Sequence, residues 1–350
     1  MTPASSVAVP PLPCLRTALD DFLSEPTPQV AAVVARHPGP FLVLGAGGKI
    51  GLHLATLLRR SLDRLGRADR VVAVSRFTTL RDRAVFEQRG IETLSCDLAD
   101  QAGLILLPDA PTVFFLAGVK FGTAASSSLL QAINVEMPAR VAARFSKSRI
   151  VAFSTGCVYP FMTPASGGAT EETPPRPVGE YAVSCLARER AFAAAAAHHG
   201  NPVVLIRLNY AVEFRYGVLV DIAARIMRGE PVDVTTGHVN VIWQRDAVAH
   251  SIQALDVAAP SAPPLNVTGP DALSVRDLAH RFGAALGRPA RIVGQEADTA
   301  WLNNASASHR RFGSPATPLD DMIRWISAWV ATVGETWGKP TGYERRDGRF

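Results

Sequence analysis

The chain has few cysteines, and their spacing argues against several classes of protein. The four, at positions 14, 96, 157 and 185, form no C-x-x-C pair, and no histidine-rich segment accompanies them with zinc spacing. Four cysteines in 350 residues are also too few for a disulfide framework, which favours a reducing, cytoplasmic location. We therefore expect neither a metal site nor structural disulfides.

Long apolar runs and basic clusters are absent as well. No segment reaches the length needed to span a membrane, and the N-terminus lacks the basic and apolar regions of a secretory signal. The net charge of +5 is spread along the chain, without runs of Lys and Arg interleaved with aromatics. The sequence therefore predicts no membrane and no nucleic-acid partner, and its mild positive charge suits small anionic ligands.

What the sequence does have is an alternation of short apolar segments and helical stretches. Hydrophobic residues make up 47% of the chain, enough for one large domain or two modest ones. Apolar β-branched segments separated by helices are typical of a parallel sheet covered on both faces. We predict an α/β fold, a Rossmann-type doubly wound parallel sheet, with strands in FLVL, RVVAVSR, GIETLSCDL, TVFFLAG, RIVAFSTG and PVVLIRLN.

Changes in pattern divide the chain into three parts. Residues 1–40 are predicted to be an N-terminal extension with short helices at 15–23 and 28–36, the second with Thr27 as its N-cap. Residues 41–212 form the predicted dinucleotide-binding Rossmann domain. Residues 213–350 form a smaller C-terminal substrate-binding region with amphipathic helices at 276–286 and 319–330. We expect the final segment, GKPTGYERRDGRF, to be a polar arm.

A glycine-rich turn directly follows the first predicted strand. Gly45 allows a tight turn, Gly48 lets the backbone approach a pyrophosphate, and Gly51 lets the next helix pack closely on the sheet. The N-terminus of that helix offers N–H groups to phosphates. Because the turn ends a strand and opens a helix, it predicts a dinucleotide site. The residues of this site are Gly45, Gly47, Gly48, Lys49, Ile50 and Gly51.

The end of the second predicted strand bears on the choice of cofactor. An NAD-preferring site usually has a carboxylate there for the ribose 2′-OH, whereas this chain has Ser75 and Arg76. Arg76 can pair with a 2′-phosphate, and Ser75 does not repel one. We predict NADP as the cofactor, with NAD as the alternative. The other interpretation of Arg76 is a solvated surface arginine.

Further motifs follow in a definite order. They are Cys96-Asp97-Leu98, Leu116-Ala117-Gly118, Asn134-Val135, FSTGCVY at 153–159, and YAVSCLARE at 181–189 at the start of a helix. Together with GAGGKIG, this order resembles the extended short-chain dehydrogenase/reductases, the NAD-dependent epimerase/dehydratase family. The resemblance runs from about residue 41 to residue 330, and it is specific because many weak motifs occur in one order.

The resemblance implies a role for each matching position. Thr155 matches the Ser/Thr that hydrogen-bonds the substrate oxygen, and Tyr181 matches the catalytic tyrosine beside the cofactor. Gly156 and Asn209 lie in motifs on the substrate side. The implied cofactor contacts are Asp97 and Leu98 near adenine, Leu116, Ala117 and Gly118 near nicotinamide, and Asn134, which supports the fold near the active site.

One position departs from the family pattern. A phenol is a poor base at neutral pH unless nearby positive charge lowers its pKa, and the family has a lysine for this purpose four residues after the tyrosine. That lysine also holds the cofactor ribose, and here its position is Cys185. We predict that Lys120, after the fourth strand, supplies the missing catalytic charge. Arg188 is the alternative, although a solvated surface charge is its simpler interpretation.

The same motifs narrow the reaction. Gly156 and Cys157 stand where sugar 4,6-dehydratases of the family have an Asp-Glu pair, which argues against that activity. His238 and Trp243 either contact a sugar ring or pack locally. The resemblance implies an NAD(P)-dependent epimerase or oxidoreductase acting on a sugar, nucleotide sugar or related polyol. It also implies a homodimer through helices near 125–145 and 181–198. A catalytically silent NADP-binding regulator is the alternative, because of Cys185.

Overall fold

A seven-stranded parallel sheet forms the centre of the protein. The computed structural model describes residues 18–78, 82–120, 127–339 and 341–348. The buried apolar segments predicted as strands do form strands, and a seventh, of the same kind, joins them. The strands are β1 (Phe41–Leu44), β2 (Val71–Ser75), β3 (Glu92–Ser95), β4 (Thr112–Phe115), β5 (Arg149–Thr155), β6 (Val203–Leu208) and β7 (Pro264–Val267).

The strand order is β3-β2-β1-β4-β5-β6-β7, and every neighbouring pair is parallel. Phe41 of β1 is in register with Val71 of β2 on one side and with Thr112 of β4 on the other. The strand order therefore runs outwards from β1 in both directions, and β1 marks the topological switch point. This is the doubly wound arrangement, and it places a crevice at the carboxyl ends of β1 and β4. The α/β Rossmann-type prediction is confirmed.

Helices cover both faces of the sheet and build the C-terminal region. The second predicted N-terminal helix has the predicted bounds, and Thr27 Oγ1 accepts the N–H of Val30 as its N-cap (3.2 Å). The helices are α1 (Pro28–Arg36), α2 (Gly51–Arg64), α3 (Arg83–Glu87), α4 (Gln101–Ile105), α5 (Ser127–Leu130), α6 (Met137–Arg144), α7 (Glu180–His199), α8 (Val218–Met227), α9 (Gln244–Gln253), α10 (Val275–Leu286), α11 (Ser306–Phe312) and α12 (Leu319–Thr332).

The C-terminal region has its own core, between α8, α10 and α12. Buried aromatic rings fill it, among them Phe214, Trp325 and Trp329. The C-terminal region also supplies β7 to the central sheet, beyond the boundary predicted at residue 212, so the two regions are joined through the sheet. The domain boundaries themselves stay a prediction. Among the described residues, none of the helices combines the length and apolarity that a membrane crossing requires.

The N-terminal extension packs against both regions. Residues 18–22 are helical, whereas residues 15–17 of the predicted first helix, and Cys14, lie outside the described residues. The Asp20 carboxylate accepts hydrogen bonds from His53 on α2 and from Arg215 in the C-terminal region, both at 2.9 Å. The extension therefore ties α2 to the C-terminal region.

The C-terminal tail is not the polar arm that its composition suggested. Tyr343 is 1% exposed, and its hydroxyl donates to the carbonyl of Asp233 (3.1 Å). Thr341 donates to the carboxylate of Asp221 through both its N–H and its hydroxyl, at 2.7 and 2.6 Å. The expectation was wrong because one buried tyrosine and a few specific hydrogen bonds outweigh a polar average.

Candidate functional site

A cavity of about 580 Å³ opens at the carboxyl ends of β1, β4, β5 and β6. This is the position at which doubly wound sheets bind ligands. The cavity extends from the glycine turn to the C-terminal tail. The predicted site residues that line it are Gly45, Gly48, Lys49, Ile50, Gly51, Arg76, Leu116, Gly118, Lys120, Thr155, Tyr181 and Asn209.

The glycine turn has the geometry that its sequence predicts. A side chain at Gly45, whose φ is +82°, would meet the backbone of Ala117 at 2.6 Å, and one at Gly51 would overlap the carbonyl of Ala46. A side chain at Gly47 would meet Ser75 Oγ at 2.6 Å, so Gly47 and Ser75 pack against each other. At Gly48, by contrast, the nearest atom is 3.5 Å away, which leaves room on the cavity side.

The start of α2 is open to a ligand. Ile50 is the N-cap residue, and no side chain accepts a hydrogen bond there. The first N–H groups of a helix attract phosphates. A small-residue turn, space at Gly48 and a helix start without a side-chain cap together fit the pyrophosphate of a dinucleotide.

Arg76 and Asp97 lie together at the edge of this site. The Arg76 guanidinium is 3.7 Å from the Asp97 carboxylate, and both side chains are about half exposed or more. A pair of this kind contributes little to stability and can be exchanged for a ligand contact. Leu98, by contrast, is buried among core side chains, so its predicted contact with the cofactor is corrected to packing.

Asn134 holds the loop after β4. Its side-chain oxygen accepts the N–H of Val119 (3.0 Å). Its side-chain nitrogen donates to the carbonyl of Val119 (2.9 Å) and to the hydroxyl of Ser184. The Asn134 side chain is fully buried, so these hydrogen bonds hold the loop after β4 in place. The supporting role near the active site that the resemblance implies for Asn134 stays a prediction.

Arg188 also lies beneath this loop, and it is buried rather than solvated. Its guanidinium donates to Asn134 Oδ1 (2.7 Å) and to the carbonyl of Phe153 (3.1 Å), and it lines the cavity. A side chain at Gly118 would overlap it. The interpretation of Arg188 as a solvated surface charge was wrong, because the helix turns this position towards the sheet.

Tyr181, at the start of α7, lines the cavity. Burial raises the pKa of Tyr181 well above its usual value, and the thiols of Cys185 and Cys157 raise it further, whereas the Arg188 guanidinium lowers it. Thr155, at the end of β5, lines the same cavity and accepts the N–H of Cys157 on its hydroxyl oxygen (3.2 Å). The structure thus brings the predicted orienting and acid/base residues together.

Cys185 lies one turn along α7 from Tyr181. The Cys185 and Tyr181 side chains are hydrogen-bonded, and burial raises the pKa of the thiol. Cys185 is fully buried against Val158 and Tyr159 and does not line the cavity. The predicted contact of this position with the cofactor is therefore corrected to a contact with Tyr181.

Two lysines approach the site from the sheet side. The Lys120 ammonium lies 5.8 Å from the centroid of the Tyr181 ring, and burial lowers the pKa of Lys120. The Lys49 ammonium lies 3.2 Å from the centroid of the Tyr216 ring, and burial, together with the charges of Lys120 and Lys339, lowers the pKa of Lys49 to about 7. Both line the cavity.

The predicted substrate residues in GHVNVIWQ lie elsewhere. Trp243 is fully buried and packs against Phe214 and Trp325, so it belongs to the C-terminal core. His238 pairs with Ser274 in a short antiparallel ladder and does not line the cavity. The local-packing interpretation is therefore the better one for both residues. Gly156 likewise faces protein, since a side chain there would meet Asn303 at 2.6 Å.

The cavity contains residues that the sequence did not single out. Tyr210, Tyr216, Lys339 and Thr341 all line it. The two tyrosines follow β6, where an aromatic pair at spacing six is the only available signal. Lys339 and Thr341 lie in the tail, more than 120 residues further along the chain, and no motif points to them.

Comparisons with known proteins agree with this architecture. The model of the NAD dependent epimerase/dehydratase family matches residues 41–260. No curated protein matches the chain by sequence.

Several solved structures share the fold. UDP-glucose 4-epimerase from Thermus thermophilus, solved with NAD, has a TM-score of 0.68 and 19% identity, covering 84% of this chain and 99% of that one. UDP-glucuronic acid 4-epimerase from Bacillus cereus, solved with NAD, has a TM-score of 0.69 and 18% identity, covering 83% and 98%. MoeE5 with UDP-glucuronic acid and NAD has a TM-score of 0.68 and 24% identity, covering 83% and 99%.

The family model covers more than half of the chain, and the doubly wound sheet with its glycine turn is the fold that the resemblance implied. The chain belongs to the NAD dependent epimerase/dehydratase family.

Proposed function

We propose that the protein is an NAD(P)-dependent epimerase or oxidoreductase acting on a sugar, a nucleotide sugar or a related polyol. The observation that carries the proposal is that the glycine turn, Thr155 and Tyr181 line one cavity. The structural relatives solved with NAD and UDP-sugars make a nucleotide sugar a natural first substrate class to test.

The residues of the cavity fit a nicotinamide dinucleotide. The turn at 45–51 and the start of α2 would hold its pyrophosphate, and Gly118 would border its nicotinamide end. When bound, the cofactor exchanges a hydride with a carbon of the substrate. We propose NADP in preference to NAD, because the end of β2 has Arg76 and no carboxylate.

Tyr181 and Thr155 have complementary roles in this proposal. Thr155 hydrogen-bonds the substrate oxygen and orients it, while Tyr181 exchanges the proton of that oxygen. A phenol with a raised pKa needs positive charge to act as a base. Lys120 and Arg188 both flank it, and none of the described residues forms an ion pair with Arg188. We keep Lys120 as the predicted catalytic charge, with Arg188 as a second, buried contributor.

Replacing Tyr181 by Phe tests the proposal. Only the phenolic hydroxyl is lost, so we expect turnover to fall about 10²–10⁴-fold while cofactor affinity stays nearly unchanged. Steady-state kinetics over a panel of sugars and nucleotide sugars, with cofactor titration by fluorescence, gives both quantities. Normal turnover in this variant would remove Tyr181 from the acid/base role.

The Lys120→Met variant serves as the companion measurement. Methionine keeps most of the side-chain length and removes the charge, so the pKa of Tyr181 should rise. The alkaline limb of the pH–rate profile should therefore move to higher pH. Lys147→Met is the matched control, because Lys147 is exposed in the turn after α6. An unchanged profile in Lys120→Met would transfer the role to Arg188.

A catalytically silent NADP-binding regulator is the second candidate. The observation in its favour is Cys185, a buried thiol that raises the pKa of Tyr181 where the family has a lysine that lowers it. The two candidates differ in one measurement. Cofactor binding without turnover of any sugar-type alcohol supports the regulator, and turnover excludes it.

We also propose a homodimer through α6 and α7. These helices pack against each other, and Leu129 and Val183 are exposed apolar residues beside them. Exposed apolar side chains on neighbouring helices suit an interface. The start of the first predicted interface helix, at residues 125 and 126, lies outside the described residues. A monomer in sedimentation velocity would contradict this proposal.

A further inference from the structure

Lysine is rare in this chain, and its placement is uneven. Of the 36 basic residues only four are lysines, Lys49, Lys120, Lys147 and Lys339. Three of the four line the cavity described above, and the fourth, Lys147, is exposed in the turn after α6. The protein therefore uses arginine for nearly all its ion pairs and places lysine at the site.

The three cavity lysines come from elements far apart in the sequence. Lys49 lies in the glycine turn, Lys120 follows β4, and Lys339 lies in the C-terminal tail. The tail is fixed on both sides of Lys339. Trp337 Nε1 donates to Glu213 Oε1 (2.8 Å), and Thr341 is bonded to Asp221. Three elements that are far apart in the sequence therefore each contribute a lysine to the same cavity.

Aromatic rings complete one side of this cluster. The Lys49 ammonium lies over the face of Tyr216, and Tyr210 and Tyr216 both line the cavity. A cation over an aromatic face is attracted by the negative face of the ring. The Lys49 ammonium is thus in contact with the C-terminal region.

Charges of both signs act on Lys49. Burial, Lys120 and Lys339 lower the pKa of Lys49, while Asp221 and Glu213 raise it, and the net result is a pKa of about 7. Asp221 accepts hydrogen bonds from the neutral Thr341, and Glu213 is paired with Arg215. An anion between the ammonium groups would relieve their mutual repulsion.

We propose that Lys49, Lys120 and Lys339 bind an oxyanion of the substrate, a carboxylate or a phosphate, between the glycine turn and the C-terminal tail. This inference rests on the proposed function, because it requires that a substrate and the dinucleotide bind in the same cavity. It assigns a substrate-recognition role to the tail, through Lys339, and it predicts that neutral sugars are poor ligands.

The small number of lysines makes a direct experiment possible. Protein labelled with ¹³C at lysine Cε gives four signals, which the Lys→Met variants assign one by one. Sulfate represents a phosphate and acetate a carboxylate, and both stay ionised between pH 6 and 8. Chloride at equal ionic strength is the control, and every titration is run with NADPH at saturation.

We expect sulfate or acetate to shift the signals of Lys49, Lys120 and Lys339 saturably, and to raise the pKa of Lys49. The anion that does so at lower concentration identifies the group. Lys339→Met should weaken its binding roughly tenfold, the usual effect of one charge-assisted hydrogen bond. Binding should also weaken as pH rises through 7, because Lys49 loses its charge. Lys147→Met should change nothing.

Two results would overturn the inference. One is equal responses of Lys147 and the cavity lysines, or no response of any of them to either anion. The other is a Lys339→Met variant that binds NADPH more weakly but binds the anion normally, which would assign the lysines to the cofactor phosphates. Failure of NADPH to bind the parent protein would instead contradict the proposed function, and the anion titration without cofactor would still decide this inference.

Discussion

The chemistry of the site depends on a few side chains whose charge is set by burial. The groups around Tyr181 are two thiols, an ammonium and a guanidinium, whereas the family pattern has one lysine beside the tyrosine. Distance, not position in the motif, decides which cation acts on a phenol. Arg188 lies seven residues after Tyr181, so two helical turns return it to the same face. Although Cys185 replaces the lysine of the motif, positive charge therefore remains near Tyr181.

Replacement of Arg76 by Ala tests the choice of cofactor. Arg76 lines the cavity and its side chain is 61% exposed, so it can reorient from Asp97 to a 2′-phosphate. One charge-assisted pair is worth about 1.5–3 kcal/mol, or roughly tenfold or more in affinity. We expect the parent to bind NADPH more tightly than NADH, and Arg76→Ala to narrow the gap, as measured by fluorescence titration.

Arg70→Ala is the matched control for that experiment. Arg70 precedes β2 at its amino end and pairs with Glu92, so the variant loses the same charge far from the cavity. Equal affinities of the parent for NADH and NADPH would contradict the assignment of NADP. Tighter binding of NADH than of NADPH would instead assign Asp97 to the ribose 2′-OH, the group that a carboxylate binds in an NAD-preferring site.

At the scale of elements, a buried ion pair fixes α7 to the sheet. The Glu189 carboxylate accepts hydrogen bonds from Arg207 on β6 and from Ser154 on β5, at 2.7 and 2.6 Å. Arg207 also donates to the Tyr159 hydroxyl (2.7 Å). Glu189 and Arg207 are both nearly fully buried. This network sets the position of the helix that presents Tyr181.

Glu189→Gln should destabilise the protein strongly. The amide keeps the size of the side chain but leaves the Arg207 charge uncompensated in the core, which typically costs about 3–5 kcal/mol. Urea unfolding, compared at the same pH, measures the loss. Glu92→Gln removes one partner of the exposed Arg70–Glu92 pair and should cost less than about 1 kcal/mol. Similar losses in the two variants would show that the buried pair has no special weight.

At the scale of the whole molecule, local pattern predicted the sheet but not all of the site. The apolar strands and the glycine turn are local signals, so β1 to β6 and the start of α2 could be predicted from the sequence. Tyr216 and Lys339 could not, because only the folded chain brings them to Lys49. Trp243 was ambiguous for a different reason, since an aromatic side chain suits both a sugar ring and a core.

The stability of the whole molecule should fall at mildly acidic pH through His250 on α9. Burial, with a smaller contribution from His309, lowers the pKa of His250 to about 4 from an ordinary value of 6.5. The unfolded chain therefore binds more protons than the native one between these values, so stability falls as pH drops from 6.5 to 4. The shift corresponds to about 3 kcal/mol. His250→Gln cannot titrate, and its free energy of unfolding by urea should fall less over this range than that of the parent. His280→Gln, at an exposed histidine, should follow the parent. Parallel curves for His250→Gln and the parent would mean that the pKa of His250 is the same in the folded and the unfolded state, which would contradict this prediction.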